Sequence, residues 1–395
     1  MMERVGPAAD EPRSGSAEPG LEPVITLRFP GAVSATVYSG SGILRAAGAL
    51  LCALPRPPRR VIVCADTAVR MAQGPQLRAG LEAAGLAVEE VTITPGEEQK
   101  NLATVMQCYS HFAQLGVERA DVVLALGGGV VGDLFGFVAA TYLRGLRLVQ
   151  VPTTVVAQVD SSIGGKVGVD LAEGKNLVGA FKHPEFVLID HATLGTLPNA
   201  EWISGTAEVA KHGVIADAAL FEALERDPDG WRTRRHAPDA ILGAALFVKA
   251  RIVQQDERET GVRMHLNYGH TLGHALEQAA EYRGVRHGEA VAWGMAMAAR
   301  LAAALGHSSQ AFVRRQDRLL AALGLLRPLP VLDAERVFST LFRDKKVESG
   351  KLRWILPMAE PGAVAVRDDV PLDLVRQLVA ETVAGRLLSD SNPAP

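Results

Sequence analysis

Four of the ten histidines fall within the 23 residues 265–287. In His265-Leu-Asn-Tyr-Gly-His270-Thr-Leu-Gly-His274, the last two histidines are four residues apart, which places both on one face of a helix. His287-Gly-Glu-Ala then opens a following helix. Imidazole is the commonest ligand for zinc-like ions, and a catalytic site often takes two His and one carboxylate with a position left for substrate. The carboxylate candidates are Glu208, Glu277 and Glu289. Spacing leaves the set open: His270 with His274, or His270 with His287, which frees His274 for substrate or proton transfer.

A second chemistry is written in Ala125-Leu-Gly127-Gly128-Gly129-Val130-Val-Gly132-Asp133, a match to G-x-G-x-x-G. It follows the apolar run 120–126, and residues 133–142 can continue as a helix. Strand, glycine-rich turn and helix form an anion cradle, because glycines let a phosphate approach the backbone and the first-turn N–H groups point at it. The usual dinucleotide fingerprint sits on the first strand, with an acidic residue about 20 positions later for the ribose. Here that slot falls near Val151-Pro-Thr153-Thr154, so the acid must come from another strand end, as Asp66 or Glu97 in Pro95-Gly-Glu-Glu-Gln-Lys100.

A third cluster runs from Asp160 through Lys166 to Lys175 and Asn176. Two lysines, an Asp and an Asn within 17 residues, threaded by glycines, suit a small hydroxylated anion.

Elements that could position these groups follow from periodicity. Runs 24–29 and 32–38 around Pro30-Gly31 read as a hairpin. Apolar runs at 61–65, 88–93, 122–126 and 148–151 alternate with helical spacing at 71–84 and 102–115, a βαβ rhythm. Continuous β-branched runs are what strands covered on both faces need. The expected class is α/β, with an N-terminal doubly wound, mainly parallel sheet. Beyond residue 200, alanine-rich segments at 239–255, 270–282, 288–305 and 310–323 carry helical spacing, with a small hairpin at 352–356 and 363–366. The division expected is a disordered tail over 1–21, domains over 22–197 and 198–386, and a tail over 387–395.

The chain has 395 residues, 48% hydrophobic and 22% charged, with a formal net charge of −3. Such a balance gives no general affinity for nucleic acid or membranes. Cys52, Cys64 and Cys108 read as small buried hydrophobes in a reducing compartment. No apolar run reaches the roughly 18–20 residues of a membrane span, and residues 1–20 lack a signal-peptide core, so cytoplasm is the expected location.

Taken together, PGEEQKNL (95–102), GGGVVGDLFGFVAATYLRG (127–145), VQVPTTVVAQVDSSIGGKVGVD (149–170), GKNLVGAF (174–181), GTAEVAKHG (205–213), RMHLNYGHTLGHALE (263–277) and HGEAVAWGM (287–295) closely resemble the 3-dehydroquinate synthase family. The resemblance covers roughly residues 24–385. It implies an NAD-binding α/β domain, a mainly helical metal domain, and an active site in the cleft between them. By the same resemblance Gly127, Gly128, Gly129, Val130 and Gly132 hold the NAD pyrophosphate. Asp66, Glu97 and Lys100 take the adenosine end, and Asp133, Thr153 and Thr154 lie along the cofactor, with Lys166 and Lys175 also near it. Glu208, His270 and His287 become the ligands of one zinc or cobalt ion per subunit.

The implied substrate positions are Arg144, Asp160, Lys166, Lys175, Asn176, Lys211, Lys249, Arg263, Asn267 and His274, with Lys345 or Lys346. Arg144 is implied to reach a neighbouring subunit, hence a homodimer. The implied reaction converts 3-deoxy-D-arabino-heptulosonate 7-phosphate to 3-dehydroquinate and phosphate. Its steps are transient NAD-dependent oxidation, phosphate elimination, reduction, ring opening and intramolecular aldol closure. Sister sugar-phosphate cyclases and a metal-dependent polyol dehydrogenase are the rival readings.

Overall fold

A computed structural model of the protein describes residues 21–30, 33–343, 347–348 and 351–388. The chain divides into two compact units, Met1–Leu197 and Pro198–Pro395.

The first unit opens with β1 (Ile25–Phe29) and β2 (Val33–Gly40), an antiparallel pair, followed by α1 (Ala47–Cys52). Then come β3 (Arg60–Asp66), α2 (Thr67–Ala83), β4 (Ala87–Ile93), α3 (Leu102–Gln114), β5 (Val122–Gly127), α4 (Gly129–Thr141) and β6 (Arg147–Pro152). A hairpin of β7 (Lys166–Leu171) and β8 (Gly174–Phe181) precedes β9 (Phe186–Asp190). Seven strands form one sheet in the order β1-β2-β9-β6-β5-β3-β4, parallel throughout except for β1 against β2. Every residue of β5 is buried, as a strand covered on both faces requires. One core layer gathers Ile62, Phe112, Phe135 and Leu148, and the other Leu51, Val63, Leu77 and Leu188.

Strand order explains why the glycine turn comes late in the chain. The common dinucleotide fold has the order 3-2-1-4-5-6, with its glycine turn on the strand third from one edge. Here β5 is third from the β4 edge, and β3 lies beside it. The glycines therefore occupy the usual place in space and a different one in sequence. Asp66, at the end of β3, stands where the ribose-binding acid of that fold stands.

The second unit is mainly helical: α5 (Asn199–Ala216), α6 (Ala218–Arg226), α7 (Pro228–Arg232), α8 (Asp239–Gln255), α9 (His270–Ala279), α10 (His287–Ala304), α11 (Gln310–Ala322), α12 (Ala334–Thr340) and α13 (Leu372–Val383). Between the last two lie β10 (Val347–Glu348), β11 (Lys351–Leu352) and the antiparallel pair β12 (Trp354–Pro357) and β13 (Val364–Arg367). Among the described residues no helix is long and apolar enough to cross a membrane.

The second half of segment 160–176, for which no element had been expected, is the β7–β8 hairpin. Two expectations need correction. Helix α9 stops at Ala279 rather than 282, because Glu281 and Tyr282 take φ values of 53° and 57°, which end a right-handed helix. Cys64 and Cys108 are buried as expected, but Cys52 is exposed.

Candidate active site

In the first unit the cofactor-type residues gather at the carboxyl ends of neighbouring strands. Ala65 of β3 pairs in register with Leu126 of β5, and Gly127 with Pro152 of β6, so Asp66, Gly127 and Thr153 end their strands at one level. Asp66 caps α2, accepting from the Val69 N–H at 2.8 Å. The Thr153 N–H donates to Gly127 O at 3.0 Å. A Cβ on Gly128 would lie 2.9 Å from Thr154 Cγ2, so a side chain would fill the mouth of the turn. Helix α4 begins at Gly129, and its first-turn N–H groups lack partners within the helix by construction. This cradle fits a pyrophosphate.

Beside it lies a buried ionic junction. Lys100 is 5% exposed, and its ammonium donates to Asp133 Oδ2 at 2.6 Å and to Asn176 Oδ1 at 2.6 Å. Lys175 pairs with Glu97 at 3.3 Å. Burial works against the charge on Lys100, yet Asp133 and Glu97 outweigh it and raise the pKa above the usual lysine value. Burial raises Asp133 above the ordinary carboxylate range, with Lys100 opposing. Sequence reasoning missed Asp170 here. Its N–H donates to Lys100 O at 2.8 Å, and its carboxylate accepts from the Asn176 N–H at 2.7 Å, holding residue 176 at φ 54°. Only the hairpin pairing brings Asp170 to Asn176, and that pairing had not been read.

Of the other first-unit residues, Asp160 sits on a helical turn (Ala157–Ser161) and Lys166 starts β7. Arg144 is exposed and holds φ 65°, directly after Leu143 at 50°.

In the second unit three helices bring a metal-type donor set together. Glu208 and Lys211, three apart on α5, share a face and form an ion pair through Glu208 Oε2. Glu208 Oε1 lies 3.5 Å from His270 Nε2 on α9 and 3.4 Å from His287 Nε2 at the start of α10. The donor atoms of these three residues all lie within 4.8 Å of one another. Zinc bonds of 2.0–2.2 Å in a tetrahedron put neighbouring donors about 3.3 Å apart, so the spacing fits. Each imidazole has its other nitrogen engaged: His270 Nδ1 with Tyr268 O at 3.1 Å, and His287 Nδ1 with Glu277 Oε2 at 3.2 Å.

Two glycines let these helices approach. A Cβ on Gly288 would fall 1.8 Å from Ser204 O, and one on Gly294 1.8 Å from Gly269 O.

Burial and the Lys211 charge, opposed by Glu208, keep the His270 pKa well below its usual value. Burial also disfavours a charged His287, but Glu277 and Glu208 outweigh it and push its pKa up to about 10.

Glu289 belongs to a capping box at the start of α10, accepting from the Arg286 N–H at 3.1 Å, and is not in a donor cluster among the described residues. His274, Glu277 and His287 form a second cluster within 4.8 Å, which shares His287 with the first.

Lys249 on α8 and Arg263 are buried at 6% and 2% exposure. The Asp256 carboxylate accepts from the N–H groups of Thr260 (3.0 Å), Gly261 (2.7 Å) and Arg263 (3.0 Å), closing the turn that carries Arg263. Asn267 donates to Glu259 Oε1 at 2.8 Å. Lys345 and Lys346 lie outside the described residues.

Residues 90–204 match the family described as 3-dehydroquinate synthase N-terminal, and residues 205–347 match 3-dehydroquinate synthase C-terminal. The chain belongs to the 3-dehydroquinate synthase family. A 3-dehydroquinate synthase of Nostoc punctiforme is 45% identical over 325 residues, which is 81% of this chain and 89% of the relative. Two solved structures are also similar. One is ValA, the 2-epi-5-epi-valiolone synthase of Streptomyces hygroscopicus subsp. jinggangensis 5008 with NAD⁺ and Zn²⁺ bound. Its TM-score is 0.80 at 28% identity, over 90% of this chain and 98% of that one. The other is a 2-deoxy-scyllo-inosose synthase complexed with carbaglucose-6-phosphate, NAD⁺ and Co²⁺, with TM-score 0.80 at 27% identity over 90% and 99%. As a 3-dehydroquinate synthase, the chain is a lyase that converts 3-deoxy-D-arabino-heptulosonate 7-phosphate to 3-dehydroquinate and phosphate.

Proposed function

We propose that this reaction runs on the residues described above, with NAD in the first unit as the cofactor domain and a divalent ion, zinc or cobalt, in the second as the metal- and substrate-binding domain. The observation that carries the reading is the meeting of Glu208 Oε1 with the Nε2 atoms of His270 and His287 at tetrahedral spacing. When bound, NAD supplies a reversible hydride acceptor and the ion polarises substrate oxygens.

The chain's own side chains bind and orient. In the first unit the glycine turn takes the pyrophosphate, and Asp66, Glu97 and Lys100 take the adenosine end. Asp133, Thr153 and Thr154 line the cofactor, as do Lys166 and Lys175. Lys166 and Asn176 also bind phosphate, and Asp160 accepts from sugar hydroxyls. In the second unit Lys249 and Arg263 bind the carboxylate, and Asn267 and His274 the phosphate, with His274 able to hold a proton. Lys211 fixes the Glu208 carboxylate. Two buried cations favour a substrate that carries a carboxylate besides its phosphate over sugar phosphates that carry none.

The exposed Arg144, on a turn with two successive left-handed residues, supports a role in the site of a second copy, and so a homodimer. Such a biosynthetic enzyme works in the cytoplasm.

Replacing His270 or His287 with Ala tests the ligand assignment. Bound metal and activity should vanish together; a variant that keeps one ion per chain overturns it.

A further inference from the structure

Glu277 has no place among the metal ligands or the substrate residues, yet its side chain is only 4% exposed. It follows His270 by seven residues and His274 by three on α9, so all three share one helix face. Its Oε2 lies 3.2 Å from Nδ1 of His287, a residue of the next helix. The same imidazole turns Nε2 to Glu208 Oε1 at 3.4 Å. One imidazole cannot give both nitrogens to one ion, so the two donor clusters sharing His287 describe one ion and a supporting carboxylate.

Resting on the metal assignment above, we propose that Glu277 is the positioning residue for His287. It accepts the Nδ1–H, fixes the ring so that Nε2 faces Glu208, and makes Nε2 a stronger donor. Carboxylates in this position behind a ligating imidazole fix its tautomer and ring orientation and raise its basicity, and their loss costs about 10–100-fold in metal affinity. The location of Glu277 makes α9 do two things. It carries one ligand, His270, and it holds the ligand presented by α10.

The test is the affinity of the full chain for Zn²⁺, measured by competition with a chromophoric chelator, in wild type, E277Q and H270A. E277Q keeps the shape and a hydrogen-bond acceptor but removes the charge. It should bind one ion per chain about 10–100-fold more weakly, and the Co²⁺-loaded form should show a shifted visible absorption. Wild-type affinity and spectrum in E277Q, with binding lost in H270A, would overturn this inference and leave the ligand set standing. Complete loss in E277Q with a bound ion retained in H270A would make Glu277 a ligand and overturn both. Should E277Q fold poorly, ¹⁵N-histidine spectra of the zinc-loaded wild type decide. A proton on Nδ1 of His287 is expected; a proton on Nε2 refutes the proposal.

Discussion

The Lys100 ammonium lies 2.6 Å from the Asn176 side-chain oxygen, which joins a residue proposed for the cofactor to one proposed for the sugar phosphate. Asp133 is at the same distance on the lysine's other side. Removing one partner of a buried ion pair leaves an uncompensated charge and costs about 3–5 kcal/mol.

K100M should therefore lose about 3 kcal/mol of stability and bind NAD more weakly, whereas K100M/D133N should recover part of the stability. Thermal unfolding and NAD titration of both variants check this. A K100M protein with wild-type melting temperature and NAD affinity contradicts it.

The contact of α5 with α10 depends on the absence of a side chain at residue 288, since a Cβ there would meet Ser204 O at 1.8 Å. G288A should be destabilised by about 1–3 kcal/mol and bind metal more weakly, although Gly288 is no ligand, because His287 is carried away from Glu208. Wild-type metal affinity in a folded G288A would show that this close approach does not set the donor spacing.

Asp256 gives a pH dependence. Partial burial works against its charge, but the N–H groups of Thr260, Arg263 and Gly261 outweigh it and lower its pKa. A depressed carboxylate contributes stability that is complete above its unfolded pKa of about 3.9 and is lost as pH falls through the folded value. Wild type should exceed D256N by about 1–2 kcal/mol above pH 5, with the gap closing below about pH 4. Melting curves of both proteins from pH 3 to 7 check it, and a gap that widens on acidification refutes it.

How legible these features were follows from burial. Strands β3, β5 and β6 could be read because both faces are covered, which leaves unbroken apolar runs. Helix α5 could not, since most of it, from Ser204 to Ile215, is buried on all sides and shows no stripe, although it carries Glu208. The β7–β8 hairpin was hidden because Gly168 and Gly179 face each other where apolar residues would have marked strands. Residue spacing alone left His274 and His287 as equal candidates. What sets His287 beside Glu208 is the docking of α10 against α5, a long-range contact with no local signature.

The reaction borrows a hydride from the substrate and returns it. The direct measurement follows phosphate release from 3-deoxy-D-arabino-heptulosonate 7-phosphate, with NADH absorbance monitored in the same cuvette, using metal-loaded protein and NAD⁺. Phosphate should accumulate through many turnovers while NADH shows no net rise. NADH growing in step with turnover, or no phosphate at all, would contradict the account.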